Sequence, residues 1–122
     1  MTPGKVRGLD QASTEAGVFS VFAIDHRDSM RVVLDPDEPE SVPDAVLTDL
    51  KLEFTQALAH DASAILLDPE YSAIPAIERR AIPGSTGMLC AVEAQGYLGD
   101  PNARETTLLD GWGVAQAKRL GQ

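Results

Sequence analysis

Three short apolar runs, each closed by an acidic residue, are the feature of this sequence that most restricts its fold. The runs and the acids that close them are residues 18–24 with Asp25, residues 62–67 with Asp68, and residues 87–92 with Glu93. Nearly continuous apolarity over so few residues is typical of strands that are buried on both faces of a parallel sheet. Amphipathic stretches separate the runs, and this alternation favours β/α units. The pattern therefore predicts an α/β fold in which the three acids lie along one edge of a parallel sheet.

Helical patterns fill the intervals between the predicted strands. A leading helix and four further helices are expected at residues 7–13, 28–34, 42–59, 72–82 and 108–120. Ser41 and Thr107 are short polar residues of the kind that cap helix N-termini, and we expect them to cap the third and the last of these helices. Residues 95–107 are polar and contain two glycines and a proline, so they are predicted to form a loop.

One segment interrupts the alternation of strands and helices. Residues 35–43 contain three prolines and four acids. This composition is typical of a loop, because proline lacks the N–H that a helix or a sheet interior requires. We expect a flexible acidic loop at 35–43 within a single domain that takes up residues 1–122.

Charge and composition exclude several classes of function. The 122 residues include 10 basic and 19 acidic side chains, which gives a formal net charge of −9. We therefore expect no binding to nucleic acid or to a membrane surface, since both need clustered Lys and Arg. No apolar run reaches the roughly 18 residues of a membrane-spanning helix, and the N-terminus lacks the apolar stretch of an export signal. These features predict a cytoplasmic protein.

Metal and nucleotide sites of the common types are not indicated. The single cysteine, Cys90, excludes an intramolecular disulfide and a cysteine-rich metal site. The Gly-rich phosphate loops of the Rossmann and Walker types and the Gly-x-Ser-x-Gly motif are absent from the sequence. The acids and the histidine at the strand ends could form a mixed metal site, but no two of them have a recognised ligand spacing. We expect no metal.

The ends of the predicted strands carry the side chains with the strongest chemistry. Arg27 offers a planar guanidinium suited to a phosphate or sulfonate group. His26 can exchange a proton near neutral pH, and Asp25 can hold a hydroxyl or perturb a neighbouring acid or lysine. Asp68 and Glu70 follow the second strand in the same way. The alternative is purely structural: an ion pair between Asp25 and Arg27, with Asp68 capping the next helix.

Several segments, taken in order, resemble one family of enzymes. They are Ala-Ile-Asp-His-Arg-Asp-Ser-Met at 23–30, Val-Leu-Thr-Asp-Leu-Lys at 46–51, Ala-Ser-Ala-Ile-Leu-Leu-Asp-Pro-Glu-Tyr at 62–71, Glu-Ala-Gln-Gly-Tyr at 93–97 and Trp-Gly-Val-Ala-Gln-Ala-Lys-Arg-Leu-Gly at 112–121. These segments resemble the class I aldolases that cleave tagatose 1,6-bisphosphate and sulfofructose 1-phosphate. The resemblance extends over nearly the whole chain, from near Gly8 to Gly121.

The resemblance implies the N-terminal part of a TIM (β/α)8 barrel, with about three β/α units and a leading helix. It implies a Schiff base between a lysine and the carbonyl of a phosphorylated ketose, with no cofactor. Asp25 matches a first-strand aspartate that assists catalysis. Arg27 matches an arginine near the substrate, and His26 stands where the family commonly has glutamine. Asp68 and Glu70 match the end of the second strand, so that we assign His26, Arg27, Asp68 and Glu70 to substrate binding.

Two catalytic groups that the resemblance implies have no match in this sequence. An eight-unit barrel takes about 250 residues, and the family's acid/base glutamate and Schiff-base lysine come after its first three units. The lysines of this chain are Lys5, Lys51 and Lys118. Lys51 and Lys118 are predicted to lie in helices, away from the strand ends where the chemistry needs a desolvated amine. We therefore expect a fragment of such an aldolase that is inactive by itself.

Two other functions are compatible with the same residues. The exposed edges of a three-stranded sheet favour self-association, so the chain could act as a non-catalytic, barrel-like binding module and form a homo-oligomer. Asp25, His26 and Arg27 could also serve a small isomerase that acts on a sugar phosphate.

Overall fold

The computed structural model describes residues 1–94, 102–103 and 105–121 of the chain. Within these ranges, helices and strands alternate as the sequence predicts, with two helices between the first and second strands. The elements are α1 Pro3–Ala12, β1 Val21–Ala23, α2 Asp28–Leu34, α3 Asp44–Leu58, β2 Ala64–Leu67, α4 Ala73–Glu78, β3 Gly87–Cys90 and α5 Val114–Arg119. Short 3-10 turns at Pro39–Ser41 and Ala59–Asp61 precede and follow α3.

The three strands form one parallel sheet in the order β1, β2, β3. The register places Phe22 beside Ile65 and Ile65 beside Met88. Parallel neighbours need a crossover connection, which α2 and α3 supply between β1 and β2, and α4 between β2 and β3. The predicted α/β fold with a parallel sheet is confirmed. Each strand is shorter than its apolar run, because only three or four residues of each run pair with a neighbour.

The hydrophobic core lies between the sheet and the helices that follow its strands. Ile65 and Leu67 of β2 are fully buried there and pack with Leu52 of α3 and with Ala73 and Ala76 of α4. Small alanines on α4 allow this helix to approach the sheet closely. Burying a side chain of the size of leucine or isoleucine contributes about 1.5–3 kcal/mol, so β2 is the most strongly held strand of the sheet.

The opposite face of the sheet is open along much of its length. Val21 of β1 is 43% exposed and Leu89 of β3 is 37% exposed. The end of α1 covers this face at the amino-terminal end of the strands. A Cβ added at Gly87 would lie 2.7 Å from the Cα of Ala12 there. Glycine at position 87 therefore permits α1 to close the amino-terminal end of the sheet. The Ser63 hydroxyl fixes this contact by donating to the Ala12 carbonyl at 2.7 Å.

The predicted cap of the third helix is wrong. Ser41 lies in the preceding 3-10 turn, and its hydroxyl donates to the Asp35 carboxylate. Pro43 is the residue before α3, and it makes no side-chain capping bond. The helix does not start from Ser41 because Val42 stands before Pro43 and is extended (φ −72°, ψ 116°), since a following proline disfavours the helical region.

The predicted cap and start of the last helix are also wrong. The Thr107 carbonyl accepts a hydrogen bond from the Ala94 amide, and Leu108 forms an antiparallel bridge with Glu93. The helix begins only at Val114, after a left-handed turn at Gly111 that no helix can include. The segment at 105–109 is thus extended beside the chain that leaves β3.

The acidic segment at 35–43 has defined local structure. The Asp35 carboxylate accepts hydrogen bonds from the amides of Asp37 and Glu38 at 3.2 and 2.9 Å, and the 3-10 turn follows. The flexibility of this loop stays a prediction. Most of the loop predicted at 95–107 lies outside the described residues. No helix in the described part of the chain is long and apolar enough to cross a membrane.

Candidate functional site at the carboxyl ends of the strands

The side chains predicted to be functional come together where β1 and β2 end. Asp25 follows β1 by two residues and is half-buried, whereas His26 beside it is exposed. Asp68 follows β2 directly and is fully buried. Parallel strands place their carboxyl ends on one edge of a sheet, and for this reason residues more than forty positions apart in sequence share one site.

Asp68 is saturated with hydrogen bonds from the protein. One carboxylate oxygen accepts from the amides of Glu70 and Tyr71 at 3.0 and 2.6 Å. The other accepts from the Ser72 hydroxyl at 2.6 Å and from Lys51 Nζ at 2.5 Å. The Asp68 side chain is fully buried, and these hydrogen bonds fix the loop after β2. Its assignment to substrate binding stays a prediction.

The side chain of Lys51 reaches the strand ends, where the sequence did not predict it. The residue itself lies on α3, as predicted, but its side chain is fully buried. Nζ donates to the carbonyl of Ile24 at 2.9 Å as well as to Asp68. The buried face of α3 contained the signal, since Leu47, Lys51 and Thr55 follow one another at intervals of four and are all fully buried.

Burial lowers the pKa of Lys51 below its ordinary value. The hydrogen bond with Asp68 and the charge of that carboxylate oppose this effect, and so does the charge of Asp25. Arg27 acts in the same direction as burial, because a second positive charge disfavours the ammonium. Three charged groups of the site therefore face one buried amine.

Arg27 joins the ends of all three strands. Its side chain is buried, and its two terminal nitrogens donate to Glu70 Oε1 at 3.4 Å and to the carbonyl of Glu93 at 2.7 Å. Its Nε is buried and has no hydrogen-bond partner among the described residues. The alternative ion pair with Asp25 is not formed in the described structure, where Arg27 pairs with Glu70.

A group of contacts around Arg31, which the sequence did not predict, adjoins the site. Arg31 donates to the carbonyl of Val42, to Asp44 and to the hydroxyl of Tyr71, and its guanidinium lies 5.5 Å from the centre of the Tyr71 ring. The hydrogen bonds with Tyr71 and then with Asp44 raise the pKa of Arg31 above its ordinary value. Arg31 thereby ties the acidic segment to the loop after β2.

Two of these contacts, those of Lys51 and of Arg31, each join a basic side chain to a carboxylate and a backbone carbonyl. The strand-end cluster consists of Lys51, Asp68 and the carbonyl of Ile24. The loop cluster consists of Arg31, Asp44 and the carbonyl of Val42. No group of three or more His, Cys, Asp or Glu side chains within residues 1–94, 102–103 and 105–121 is arranged to hold a metal ion.

The comparison with protein families gives this geometry its context. Residues 19–122 match the model of the DeoC/LacD family aldolases. The chain belongs to this family. The strand-end residues from Asp25 to Glu70 all lie within the matched range, so the resemblance predicted from the sequence is confirmed.

Individual members of the DeoC/LacD family match almost the entire chain. Tagatose 1,6-diphosphate aldolase 2 of Enterococcus faecalis is 36% identical over 121 residues, which are 99% of this chain and 35% of that protein. Tagatose 1,6-diphosphate aldolases of Streptococcus pneumoniae and Staphylococcus aureus are each 31% identical, over 99% and 96% of this chain. The chain spans about a third of the length of these relatives, 36% and 35% of the latter two.

Proposed function

We propose that this chain provides the first-strand and second-strand part of the sugar-phosphate site of a class I aldolase. In this proposal its three β/α units are the N-terminal part of a TIM barrel, and the open face of the sheet with Val21 and Leu89 is turned to the barrel interior. The substrate is a phosphorylated ketose, either a tagatose or a sulfofructose phosphate.

The convergence of Asp25, Arg27 and Glu70 at the carboxyl ends of β1 and β2 carries this proposal. Active sites of barrel enzymes are built at that edge, and α1 closes the opposite end of the sheet at Gly87. Half-buried Asp25 accepts a hydrogen bond from a sugar hydroxyl, and exposed His26 lies beside it on the substrate side. Arg27 and Glu70 hold each other in place next to the substrate.

Cleavage of the ketose needs a lysine that forms a Schiff base and a glutamate that transfers a proton. Lys51 does not meet this need, because its amine is fully buried and engaged by Asp68 and by the carbonyl of Ile24. A Schiff-base lysine must be able to reach the ketose carbonyl. We therefore propose that residues 1–122 do not catalyse cleavage by themselves.

Exchange of segments tests the proposal directly. Residues 1–122 replace the segment that they match in the Enterococcus faecalis tagatose 1,6-diphosphate aldolase 2. We expect this chimera to cleave tagatose 1,6-bisphosphate, measured as triose phosphate release, and an Asp25→Asn chimera to lose at least about 100-fold in kcat. Asp10→Asn, on the exposed side of α1, is the matched control. A folded chimera without activity, or full activity of Asp25→Asn, would contradict the proposal.

Borohydride trapping tests the inactivity of the chain alone. Residues 1–122 are incubated with dihydroxyacetone phosphate, reduced with borohydride and examined by mass spectrometry. We expect no labelled lysine, whereas the chimera acquires one adduct within the segment contributed by the relative. An adduct on Lys51 would show that the buried amine becomes accessible and would overturn its assignment.

Self-association is a second candidate function, favoured by one observation. In the described structure β1 and β3 each pair on one side only, next to an open face with Val21 and Leu89. Unpaired edges beside an apolar face promote pairing with another chain. Light scattering at micromolar concentration should then show a defined multimer that Leu89→Glu disperses, and a stable monomer would exclude this function.

A further inference from the structure

The ends of β1 and β2 are held together beyond the last hydrogen bond of the sheet. That last bond runs from the amide of Ile24 to the carbonyl of Leu66 at 3.0 Å. The Ile24 carbonyl accepts from Lys51 Nζ at 2.9 Å, and the same nitrogen binds Asp68 at 2.5 Å. Lys51 on α3 therefore joins the ends of β1 and β2 just beyond the last hydrogen bond of the sheet.

Each partner of Lys51 controls the position of a residue in the proposed site. The Ile24 carbonyl belongs to the peptide unit that leads into Asp25. The Asp68 carboxylate holds the amide of Glu70 at 3.0 Å. The position of Asp25 relative to Glu70 thus depends on the Lys51 amine, which binds both the Ile24 carbonyl and the Asp68 carboxylate.

We propose that Lys51 is a positioning residue that fixes Asp25 relative to Glu70 by joining the backbone end of β1 to the buried carboxylate after β2. This inference rests on the proposed function, since it assigns Lys51 a role in the same site. A further link between the two strand ends is the ion pair of Arg27 with Glu70, which is longer at 3.4 Å and involves a partly exposed carboxylate.

The burial of this amine supports a positioning role over a role in stability alone. A buried ion pair is often no more stabilising than apolar side chains of the same volume, because both charges lose their hydration. Leu47 and Leu52 beside Lys51 on α3 show that this face of the helix accepts apolar residues. An apolar residue at position 51 could not bind the Ile24 carbonyl and Asp68 at the same time.

The test must separate positioning from folding, and the double variant Lys51→Met/Asp68→Asn does so. The single change Lys51→Met would leave a buried carboxylate without its partner, which is strongly destabilising. The change Asp68→Asn keeps an oxygen for the amides of Glu70 and Tyr71 and removes the charge. The double variant therefore keeps the bonds to the Glu70 and Tyr71 amides and removes the link to β1, while the Ser72 hydroxyl, which donates to the second Asp68 oxygen, must accept from the amide group of the new asparagine instead. Lys118→Met, at an exposed site on α5, is the matched control.

Amide hydrogen exchange on the full chain is the first measurement. The Ile24 amide, at the β1–β2 end, is compared with the Ala91 amide, which donates to the Leu67 carbonyl at 3.0 Å at the β2–β3 end. In the double variant we expect Ile24 to exchange at least about tenfold faster while Ala91 changes by less than about threefold. Equal acceleration at both amides, or no change at Ile24, would overturn the proposal.

Kinetics of the chimera are the second measurement. A misplaced Asp25 slows the cleavage of bound substrate more than it weakens substrate binding. We therefore expect kcat to fall at least about tenfold, with KM within about threefold of the parent chimera. An unchanged kcat in the double variant would overturn the positioning role. If the parent chimera itself cleaves nothing, the proposed function fails, and the exchange of Ile24 against Ala91 decides alone whether Lys51 joins the strand ends.

Discussion

The strand-end cluster and the loop cluster use the same chemistry in opposite surroundings. Each pairs a basic side chain with a carboxylate and a backbone carbonyl, and each joins segments that are separate in the sequence. Lys51 and Asp68 are both fully buried, whereas Asp44 in the loop cluster is 74% exposed. Water can replace a lost partner at Asp44 but not at Asp68. The free energy of unfolding lost when such a pair is broken therefore depends more on the exposure of the remaining carboxylate than on the bond itself.

The largest effect is expected when the strand-end cluster loses its amine. Lys51→Met leaves the Asp68 carboxylate buried without its partner, and the free energy of unfolding should fall by about 3–5 kcal/mol. Urea denaturation followed by circular dichroism measures this change. Lys118→Met, on an exposed part of α5, should stay within about 0.5 kcal/mol of the wild type. A loss below about 1 kcal/mol for Lys51→Met would mean that water enters the cluster.

Removal of both charges should restore most of that stability. In Lys51→Met/Asp68→Asn no unpaired charge is buried, so the double variant is expected to recover at least about 2 kcal/mol relative to Lys51→Met. The same urea denaturation series gives the value. If the double variant is as unstable as the single one, the cost arises from lost packing at position 51 rather than from the unpaired carboxylate.

The stability that Lys51 contributes should depend on pH, because burial lowers the pKa of this amine. Between this lowered pKa and the value of about 10.4 in the unfolded chain, the unfolded state binds more protons at this site than the folded state. Stability from Lys51 therefore rises with pH in that window, by at most about 1.4 kcal/mol per pH unit. The free energy of unfolding of the wild type minus that of Lys51→Met/Asp68→Asn, measured from pH 7 to 10, isolates this contribution. A difference that falls as pH rises would show that the pairing with Asp68 outweighs burial.

The smallest effect is expected in the loop cluster. Asp44→Asn should lower Tm by no more than about 5 °C, since the exposed carboxylate is hydrated when it is unpaired. The difference from the wild type should shrink further in 1 M salt, where the Debye length is about 3 Å. Asp49→Asn, which breaks the exposed pair with Arg79 after α4, is the control and should change Tm less. A shift for Asp44→Asn as large as that for Lys51→Met would remove the contrast between the two clusters.

The strands and the position of the site follow from local patterns, and local patterns are visible in sequence. Three apolar runs ending on acids place Asp25 and Asp68 at one edge of the sheet, and the resemblance at residues 23–30 and 62–71 identifies the family. Caps were harder to predict. Ser41 has the right chemistry for a cap, but Val42 precedes Pro43 and is extended, so that α3 begins after the proline.

The sequence by itself determined the α/β alternation, the parallel sheet and the family, because each depends on periodicity or on residues close together in the chain. Only the tertiary structure decided which carboxylate each basic residue binds. Lys51 and Asp68 are 17 positions apart, and Arg27 and Glu70 are 43 apart. The helix pattern predicted the place of Lys51 on α3 but not its partner. Partner choice depends on how α3 packs against β1 and β2, and packing brings together residues whose spacing in the sequence carries no signal.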